Sequence, residues 1–230
     1  MSNETVRFTL DGQEVDALAG ETILQTARRL GTEVPSLCFK DGYRAEGNCR
    51  ACVVEIEGER TLAPSCCRAP TAGMKVETAN ERARFNQRMV IELLKSDMPD
   101  GDKSPYTPRS ELDHWADFLD VGTPRFSSRT QPPADLSNPA IAVNLAACIQ
   151  CTRCVRACRE EQVNDVIGYA YRGGHSSIVF DLEDNMGDST CVACGECVQA
   201  CPTGALMPAM AVDAAETGDS AAIDREVKSV

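Results

Sequence analysis

The chain has 230 residues, which is enough for one large domain or two small ones. Aromatic residues make up only 5% of it, so a large aromatic-rich core is not expected. The net charge of −12 argues against a nucleic-acid partner, because phosphate binding needs a basic surface. No apolar run reaches the length of about eighteen residues that predicts a membrane span.

Cysteine is the most informative residue type, with thirteen in the chain. The number is odd, so a framework of disulfides alone would leave one thiol over. Residues 1–10 lack the basic start and apolar run of a secretory leader, and we therefore expect a cytoplasmic protein. In that reducing compartment, closely spaced cysteines bind metals more often than they pair.

Residues 1–78 predict a small mixed α/β unit. Alternation of apolar and polar residues indicates a strand, whereas apolar residues spaced by three and four indicate a helix. By these patterns the segment contains, in order, strands over 6–10 and 15–17 joined at Asp11-Gly12, a helix from Ile23 to Leu30 stopped by Gly31, and a strand with Val54 and Ile56 that turns at Gly58. This order indicates a sheet with one helix packed across it.

Residues 79–140 predict a connector. Its first part is a helix with Asn80 as N-cap and an end near Ser96. The apolar stripe of that helix consists of Phe85, Met89, Val90, Leu93 and Leu94. Glycine and prolines between 101 and 108 then break the chain before a short helix over 111–119, and the Pro-, Ser- and Thr-rich run over 122–139 predicts an extended linker.

Residues 141–210 hold eight cysteines in two related blocks, an internal repeat displaced by about 43 residues. Between the blocks, residues 166–171 and 176–181 predict short strands around Gly173-Gly174. Residues 211–230 are rich in Ala and Asp without a periodic pattern, which predicts a linker or tail.

Both blocks have the spacing C-x2-C-x2-C-x3-C, and Pro202 follows the second. Two-residue gaps let a tight loop aim three thiolates at one iron–sulfur cubane, and a helix starting at the third cysteine carries the fourth toward the neighbouring cluster. The spacing therefore predicts two [4Fe–4S] clusters that exchange their fourth ligands. One is held by Cys148, Cys151, Cys154 and Cys201, and the other by Cys158, Cys191, Cys194 and Cys197.

Zinc is the alternative metal for so many cysteines. Structural zinc sites usually combine one C-x2-C pair with a second, distant pair, and neither block has that form. A zinc-stapled interaction module without a redox role remains the alternative of a different class. Arg153, Arg156 and Arg159 either lie beside the clusters and offset their charge or form a solvated helix face, and the sequence leaves both options open.

A further set in the N-terminal unit, with the spacing C-x10-C-x2-C-x13-C, predicts a [2Fe–2S] cluster. Its ligands are Cys38, Cys49, Cys52 and Cys66. The loop between the first two of these cysteines would wrap the cluster and bring amide N–H groups near sulfur, which is one of the factors that set a cluster's potential. Cys67 could replace its neighbour as a ligand, but we expect it to be a small buried thiol.

Two stretches resemble one known group of proteins. Residues Gly47–Gly58 (GNCRACVVEIEG) and Cys191–Pro208 (CVACGECVQACPTGALMP) are similar to the large iron–sulfur subunit of complex I, the diaphorase small subunit of NAD-reducing hydrogenases and, most closely, the alpha subunit of NAD-dependent formate dehydrogenases. Ile223–Val230 resembles the segment that leads into the molybdenum or tungsten domain of those alpha subunits. The chain is then either a split subunit or the electron-transfer region of a longer protein.

This resemblance implies an α+β protein with an N-terminal β-grasp [2Fe–2S] ferredoxin domain, a helical connector and a C-terminal 2[4Fe–4S] bacterial-ferredoxin-like domain. It implies an oxidoreductase component without a catalytic site of its own. Electrons from formate, oxidised at a molybdenum or tungsten site on a partner domain or subunit, would pass to a flavin- and NAD-binding subunit.

The chain departs from the group in one feature, and two alternative assignments remain. Many members carry a His-plus-three-Cys cluster after the first long helix, but Met98 stands about where the His would be and no cysteine occurs between Cys67 and Cys148, so we expect that cluster to be absent. The diaphorase subunit of a hydrogenase is the alternative within the group. The iron–sulfur subunit of succinate dehydrogenase fits less well, because its first motif opens with C-x4-C.

Overall fold

The computed structural model describes residues 5–99, 110–128 and 132–216. They form two compact units, and the residues predicted as a connector are divided between them. The first unit comprises the described residues of Met1–Leu93 with Trp115–Thr123, and the second comprises those of Leu94–His114 and Pro124–Val230.

The first unit is built on a five-stranded mixed sheet. Its strands are β1 Val6–Leu10, β2 Gln13–Ala17, β3 Val53–Ile56, β4 Ala63–Pro64 and β5 Lys75–Glu77. They lie in the order β2-β1-β5-β3-β4, with β1 and β5 parallel and every other neighbouring pair antiparallel. The predicted fold of the N-terminal domain is confirmed.

The first hairpin turns where the sequence predicted. Leu10 faces Gln13 across the ladder, and the two turn residues, Asp11 and Gly12, have φ values of 48° and 80°. Positive φ at both positions gives the turn a twist that matches the strands, and Asp-Gly tolerates it at low cost. The Asp11 carboxylate also accepts hydrogen bonds from the amide and hydroxyl of Thr78, at 2.6 and 2.7 Å.

Helix α1 spans Ile23–Arg29 and packs against the sheet. It begins at a capping box, in which the Thr22 hydroxyl accepts from the Gln25 amide and the Gln25 side chain accepts from the Thr22 amide. Its apolar face shares one core with residues of all five strands and with two cysteines. The core consists of Phe8, Leu10, Ala17, Ile23, Leu24, Ala27, Val34, Phe39, Cys52, Val54, Ile56, Ala63, Cys66 and Val76.

Helix α2 spans Glu81–Ser96 and begins as predicted, with the Asn80 side chain accepting from the Ala83 amide at 2.9 Å. The predicted apolar stripe, however, is not the buried face. Phe85 is 64% exposed, whereas Gln87 is fully buried and donates to the carbonyls of Val53 and Thr78 at 2.9 and 3.0 Å. The buried residues of the helix are Ala83, Gln87 and Ile91. Apolar periodicity therefore identified the helix but not its buried face.

Helix α3, Glu111–Phe118, confirms the short helix predicted there. Ser110 forms its N-cap: the Ser110 hydroxyl accepts from the Asp113 amide at 3.1 Å and donates to the Asp113 carboxylate at 2.8 Å. The chain breaks predicted between residues 101 and 108 lie outside the described residues.

The described residues of the second unit form two small antiparallel pairs and three short α-helices. Its strands are β6 Ile141–Val143, β7 Ile167–Ala170, β8 Ser177–Phe180 and β9 Leu206–Pro208, and its helices are α4 Arg153–Arg156, α5 Glu196–Ala200 and α6 Ala209–Glu216. Strand β6 pairs with β9, and β7 pairs with β8 as the predicted hairpin. Because β6 precedes the first cysteine block and β9 follows the second, their pairing closes the domain around both blocks.

Two boundaries differ from the prediction. Asp135, placed in the linker, exchanges backbone hydrogen bonds with Val143 at 2.8 and 2.9 Å, and its carboxylate accepts from the Met186 amide at 2.6 Å. The predicted tail is helical as far as Glu216, because Val212 of the Ala-rich α6 is buried against Ala142 and Met207. The remaining tail, including Ile223–Val230, lies outside the described residues.

None of the helices in the described part of the chain has the length and apolarity needed to cross a membrane.

Candidate metal centres

The four cysteines predicted to bind a [2Fe–2S] cluster lie together in the first unit. The thiols of Cys49 and Cys66 lie within hydrogen-bonding distance of the Cys38 sulfur, and the Cys66 thiol also contacts Cys52. Cys38, Cys52 and Cys66 are at most 1% exposed, and Cys49 is half-buried. Four thiols spread over 29 residues of sequence thus converge on one place at the edge of the core.

Backbone amides point at these sulfurs. The amides of Asn48 and Cys49 donate to Cys38, and the amide of Ala51 donates to Cys49. The loop reverses direction through Gly47 and Arg50, whose φ values are 66° and 59°. An arginine in this left-handed region is uncommon, and such positions cluster at binding sites. The predicted loop therefore does bring N–H groups to sulfur.

The titration of this set favours a bound cation. Hydrogen bonds from the thiols of Cys49 and Cys66 lower the pKa of Cys38, and hydrogen bonds with Cys38 and then Cys52 raise the pKa of Cys66. A hydrogen bond from the Cys66 thiol also lowers the pKa of Cys52 to about 7, so the thiolates of this set depend on neighbours that stay protonated. All four sulfurs can be thiolates together only if positive charge lies among them, and iron supplies that charge. The residues present fit a [2Fe–2S] cluster.

Cys67 differs from the expectation of a buried thiol. Its side chain is exposed, although the adjacent Cys66 is fully buried. The two sulfurs are 3.5 Å apart, and the Cys67 sulfur lies 3.0 Å from the place where a side chain on Gly47 would begin. Cys66, and not Cys67, occupies the buried position next to Cys38 and Cys52.

The second unit has two cavities, each bordered by four cysteines drawn from both blocks. The cysteines of the first are Cys148, Cys151, Cys154 and Cys201, and those of the second are Cys158, Cys191, Cys194 and Cys197. These groups coincide with the two ligand sets predicted from the spacing, including the exchange of the fourth cysteine.

The two ligand loops have the same backbone shape. The amide of Gln150 donates to the Cys148 sulfur at 3.4 Å, and the amide of Ala193, at the equivalent position of the repeat, donates to the Cys191 sulfur at 3.3 Å. Both donors have a positive φ, 57° and 54°. A positive φ at a residue other than glycine is strained, and it occurs in both copies of the loop. The loops therefore direct N–H groups at sulfur at a cost in local stability.

Short helices place the fourth cysteines. Helix α4 continues from Ala157 to Glu161 as a π-turn that contains Cys158, and α5 ends at Cys201. Helices α4 and α5 pack against each other, so each carries its last cysteine to the other block's cavity. A π-turn is rare and often occurs at functional positions.

Burial also raises the pKa values of thiols in this unit. It raises the pKa of Cys151 and Cys154 well above the ordinary value, and it raises the pKa of Cys197 to about 12. Buried neutral thiols are poor nucleophiles, so their role is not chemical attack. A metal among them reverses the effect by stabilising thiolates, and the residues therefore fit [4Fe–4S] clusters.

The three arginines of the first block are placed differently from one another. Arg153 and Arg156 are buried, with 4% and 2% exposure, whereas the Arg159 side chain is 55% exposed and pairs with Asp165. The option of a solvated helix face is therefore correct only for Arg159. Sequence could not show this, because the partner of Arg153 is Glu111, far away in the chain.

Comparison with known proteins gives two domain matches. Residues 3–81 match the family of 2Fe-2S iron-sulfur cluster binding domains, and residues 147–205 match the 4Fe-4S dicluster domain. In the solved structure of an NAD⁺-reducing [NiFe]-hydrogenase in the H₂-reduced state, one chain superposes with a TM-score of 0.81 and 26% identity. That match covers 88% of this chain and 87% of the other.

Three curated relatives are similar over nearly the whole chain. The HndD subunit of the NADP-reducing hydrogenase of Solidesulfovibrio fructosivorans is 35% identical over 87% of this chain and 35% of its own length. An NADH-quinone oxidoreductase subunit of Rhizobium meliloti is 34% identical, with 88% and 24% covered. A putative formate dehydrogenase of Staphylococcus haemolyticus is 26% identical, with 89% and 21% covered.

The chain thus spans about a third or less of the length of these curated relatives. Their shared part is the one that contains the cysteine sets described above. The chain contains a 2Fe-2S cluster-binding domain followed by a 4Fe-4S dicluster domain, and over most of its length it is similar to subunits of NADH-quinone oxidoreductases and NAD(P)-reducing hydrogenases.

Proposed function

We propose that this chain is the electron-transferring iron–sulfur unit of an NAD(P)-linked oxidoreductase. The observation that carries the proposal is the gathering of twelve of its thirteen cysteines into three sets of four. Clusters bound there would supply one-electron oxidation and reduction. The chain's own contribution is to bind them, to keep water from most of the sulfurs and to direct amide N–H groups at sulfur.

The proposed ligand sets follow the predicted assignment. The [2Fe–2S] cluster is held by Cys38, Cys49, Cys52 and Cys66, one [4Fe–4S] cluster by Cys148, Cys151, Cys154 and Cys201, and the other by Cys158, Cys191, Cys194 and Cys197.

A formate dehydrogenase is one proposed setting. The cysteine-rich stretch Cys191–Pro208 resembles the alpha subunits of that enzyme, and the relative from Staphylococcus haemolyticus carries that name. In this setting the partners are a molybdenum or tungsten catalytic domain or subunit and a flavin- and NAD-binding subunit.

A hydrogenase diaphorase is the second setting, and one observation favours it. The match to one chain of the NAD⁺-reducing hydrogenase covers 88% of this chain and 87% of the other, so the likeness in fold extends over most of both. Nickel in the complex isolated from its source, with H₂-dependent NAD(P)⁺ reduction, would identify this setting. Molybdenum or tungsten with formate-dependent reduction would identify the other.

Iron analysis tests the proposal itself. We expect the full chain, purified without oxygen, to contain about ten iron and about ten acid-labile sulfide atoms per molecule. The dithionite-reduced protein should show one [2Fe–2S] EPR signal and the interacting signals of two [4Fe–4S] clusters. Zinc without iron would overturn the redox function, and about fourteen iron atoms would require a fourth cluster and a different ligand assignment.

A further inference from the structure

The two cysteine blocks have the same spacing but opposite charge. When the blocks are superposed on their cysteines, Arg153 corresponds to Glu196 and Arg156 corresponds to Gln199. The first block therefore has two cations in the turns that bear its third and fourth cysteines, and the second has an anion and a neutral amide. The ligand spacing gives no reason for this difference, because both blocks supply the same number of thiolates.

Burial strengthens the asymmetry. Arg153 and Arg156 are among the few charged residues buried in the described part of the chain, whereas Glu196 is half-buried and Gln199 is exposed. A charge in the interior acts through a lower dielectric than one at the surface, so its effect on a nearby group is larger and less screened by salt.

Arg153 and Arg156 do not border the first cavity, but each contacts a residue close to its ligands. Arg156 donates through Nη2 to the carbonyl of Cys151 at 3.3 Å, which lies in the ligand loop itself. Arg153 lies between two cysteines of the first set and pairs through Nη1 with the Glu111 carboxylate at 2.8 and 3.0 Å. The Glu111 side chain is 45% exposed, so solvent weakens the anion more than the 5% exposed cation.

Helix α3 connects this arginine to the other end of the ligand set. Its first residue, Glu111, also donates its backbone amide to the carbonyl of Pro202 at 2.8 Å, directly after Cys201. The carboxylate that partly neutralises Arg153 is therefore held next to the same cavity by its own backbone.

Reduction adds a negative charge to a cluster, and a fixed nearby cation favours the reduced form. We infer that Arg153 and Arg156 act as tuning residues that make the [4Fe–4S] cluster of Cys148, Cys151, Cys154 and Cys201 the higher-potential member of the pair. The inference rests on the proposed ligand assignment. Its consequence is that the two clusters of the repeat differ in reduction potential. When the pair holds one electron, that electron resides mainly in the first-block cluster.

An EPR-monitored redox titration of the full chain tests this order. The parent should show two separate [4Fe–4S] midpoints, and the single midpoint left in Cys191→Ala, which retains the first-block cluster, should match the higher one. Arg156→Gln, which copies the equivalent residue of the second block, should lower the higher midpoint more than the lower one, because Arg156 contacts the Cys151 carbonyl in the first ligand loop. A roughly tenfold change in the ratio of reduced to oxidised cluster at fixed potential is expected, or about 59 mV for one electron.

Three further variants separate charge from packing. Arg156→Lys keeps the charge and should leave the higher midpoint near the parent value. Glu111→Gln removes the surface anion beside Arg153 and should raise the same midpoint, by a smaller factor. Arg159→Gln is the matched control, because this arginine belongs to the same block but is exposed and paired with Asp165, and it should move neither midpoint.

The outcomes distinguish this inference from the proposed function. A parent without [4Fe–4S] signals would contradict the proposed function before the titration begins. With both clusters present, an unchanged higher midpoint in Arg156→Gln, an equal fall in Arg156→Lys, or a lower midpoint for the first-block cluster would overturn the tuning role.

Discussion

At the scale of single residues, burial distinguishes two neighbouring cysteines that the sequence alone does not distinguish. Cys66 and Cys67 are adjacent and chemically identical, yet one is fully buried in contact with Cys38 and Cys52 and the other is exposed. Thiolate ligands of one cluster must converge, so only the inward-facing residue of such a pair can serve. We therefore assign Cys66 and exclude Cys67 from the proposed ligand set.

Serine substitution at the two positions checks this assignment. We expect Cys66→Ser to abolish or strongly alter the [2Fe–2S] EPR and visible signals while both [4Fe–4S] clusters remain. Cys67→Ser, as the matched control, should keep about ten iron atoms per chain and unchanged spectra. The opposite result would exchange the two roles.

The sequence predicted which cysteines lie together better than it predicted the residues around them. Spacing determines which thiols a short loop can bring together, and all three cysteine sets are gathered as the spacing indicated. The burial of Arg153 could not be predicted in the same way, because its carboxylate partner lies in a helix 42 residues earlier in the sequence. Pairing at that distance depends on the whole domain and leaves no local pattern.

At the scale of elements, the start of α1 is held by one carboxylate. Glu21 accepts hydrogen bonds from the Leu18 amide at 2.9 Å, the Thr26 hydroxyl at 3.1 Å and the Arg29 guanidinium at 2.7 and 2.8 Å. Arg29 also donates to the carbonyl of Asp16 at 2.8 Å. The network connects the helix to β2, which forms an edge of the sheet.

The Glu21 network predicts a stability effect with a defined pH range. The hydrogen bond from Arg29, followed by those from Leu18 and Thr26, lowers the pKa of Glu21 from 4.5 to about 2. The folded pKa lies below the unfolded one, so the contribution to stability is complete above pH 4.5 and disappears as the pH falls toward 2. Glu21→Gln should therefore destabilise the first unit by about 1–2 kcal/mol equally at pH 6 and pH 8.

Thermal unfolding followed by the visible circular dichroism of the [2Fe–2S] domain, under anaerobic conditions, measures this effect. Glu14→Gln, at an exposed position of β2, serves as the control and should change the midpoint little. A loss in Glu21→Gln that differs between the two pH values would show that an ionisation within that range, and not this carboxylate, is responsible.

Elements were predictable where local signals agreed. The hairpin, α1, α3 and the β7–β8 pair all have turn or capping residues that match their periodicity. The buried face of α2 was not, because Gln87 faces the sheet through two hydrogen bonds while Phe85 faces solvent. Helix α6 was missed because its buried anchor Val212 has no periodic partners in the sequence.

At the scale of the whole molecule, the proposed exchange of the fourth cysteines makes the two proposed [4Fe–4S] sites interdependent. Cys201 stands in the second block but borders the first cavity, and Cys158 has the reverse placement. Each block by itself supplies only three thiols to a site. On the proposed assignment the repeat is therefore one cooperative unit rather than two modules in series.

Double substitution tests the exchange. Cys201→Ala should remove the first-block cluster and leave about six iron atoms per chain. Adding Cys148→Ala should remove nothing more, because both residues serve the same cluster, whereas adding Cys191→Ala should remove the second cluster and leave about two. If Cys201→Ala combines with Cys191→Ala without further loss, the fourth ligands are not exchanged.

The exchange also has a consequence for biosynthesis. While the chain is being translated, the first block leaves the ribosome with three thiols of its own site and a fourth meant for the next. On the proposed assignment, neither cubane can be completed until the second block has emerged, with Cys201 as its last cysteine, so iron–sulfur insertion into this domain must wait until that block has been made. Until then the nascent chain exposes four reactive thiols, and a message cut short before the second block yields a protein without either cubane.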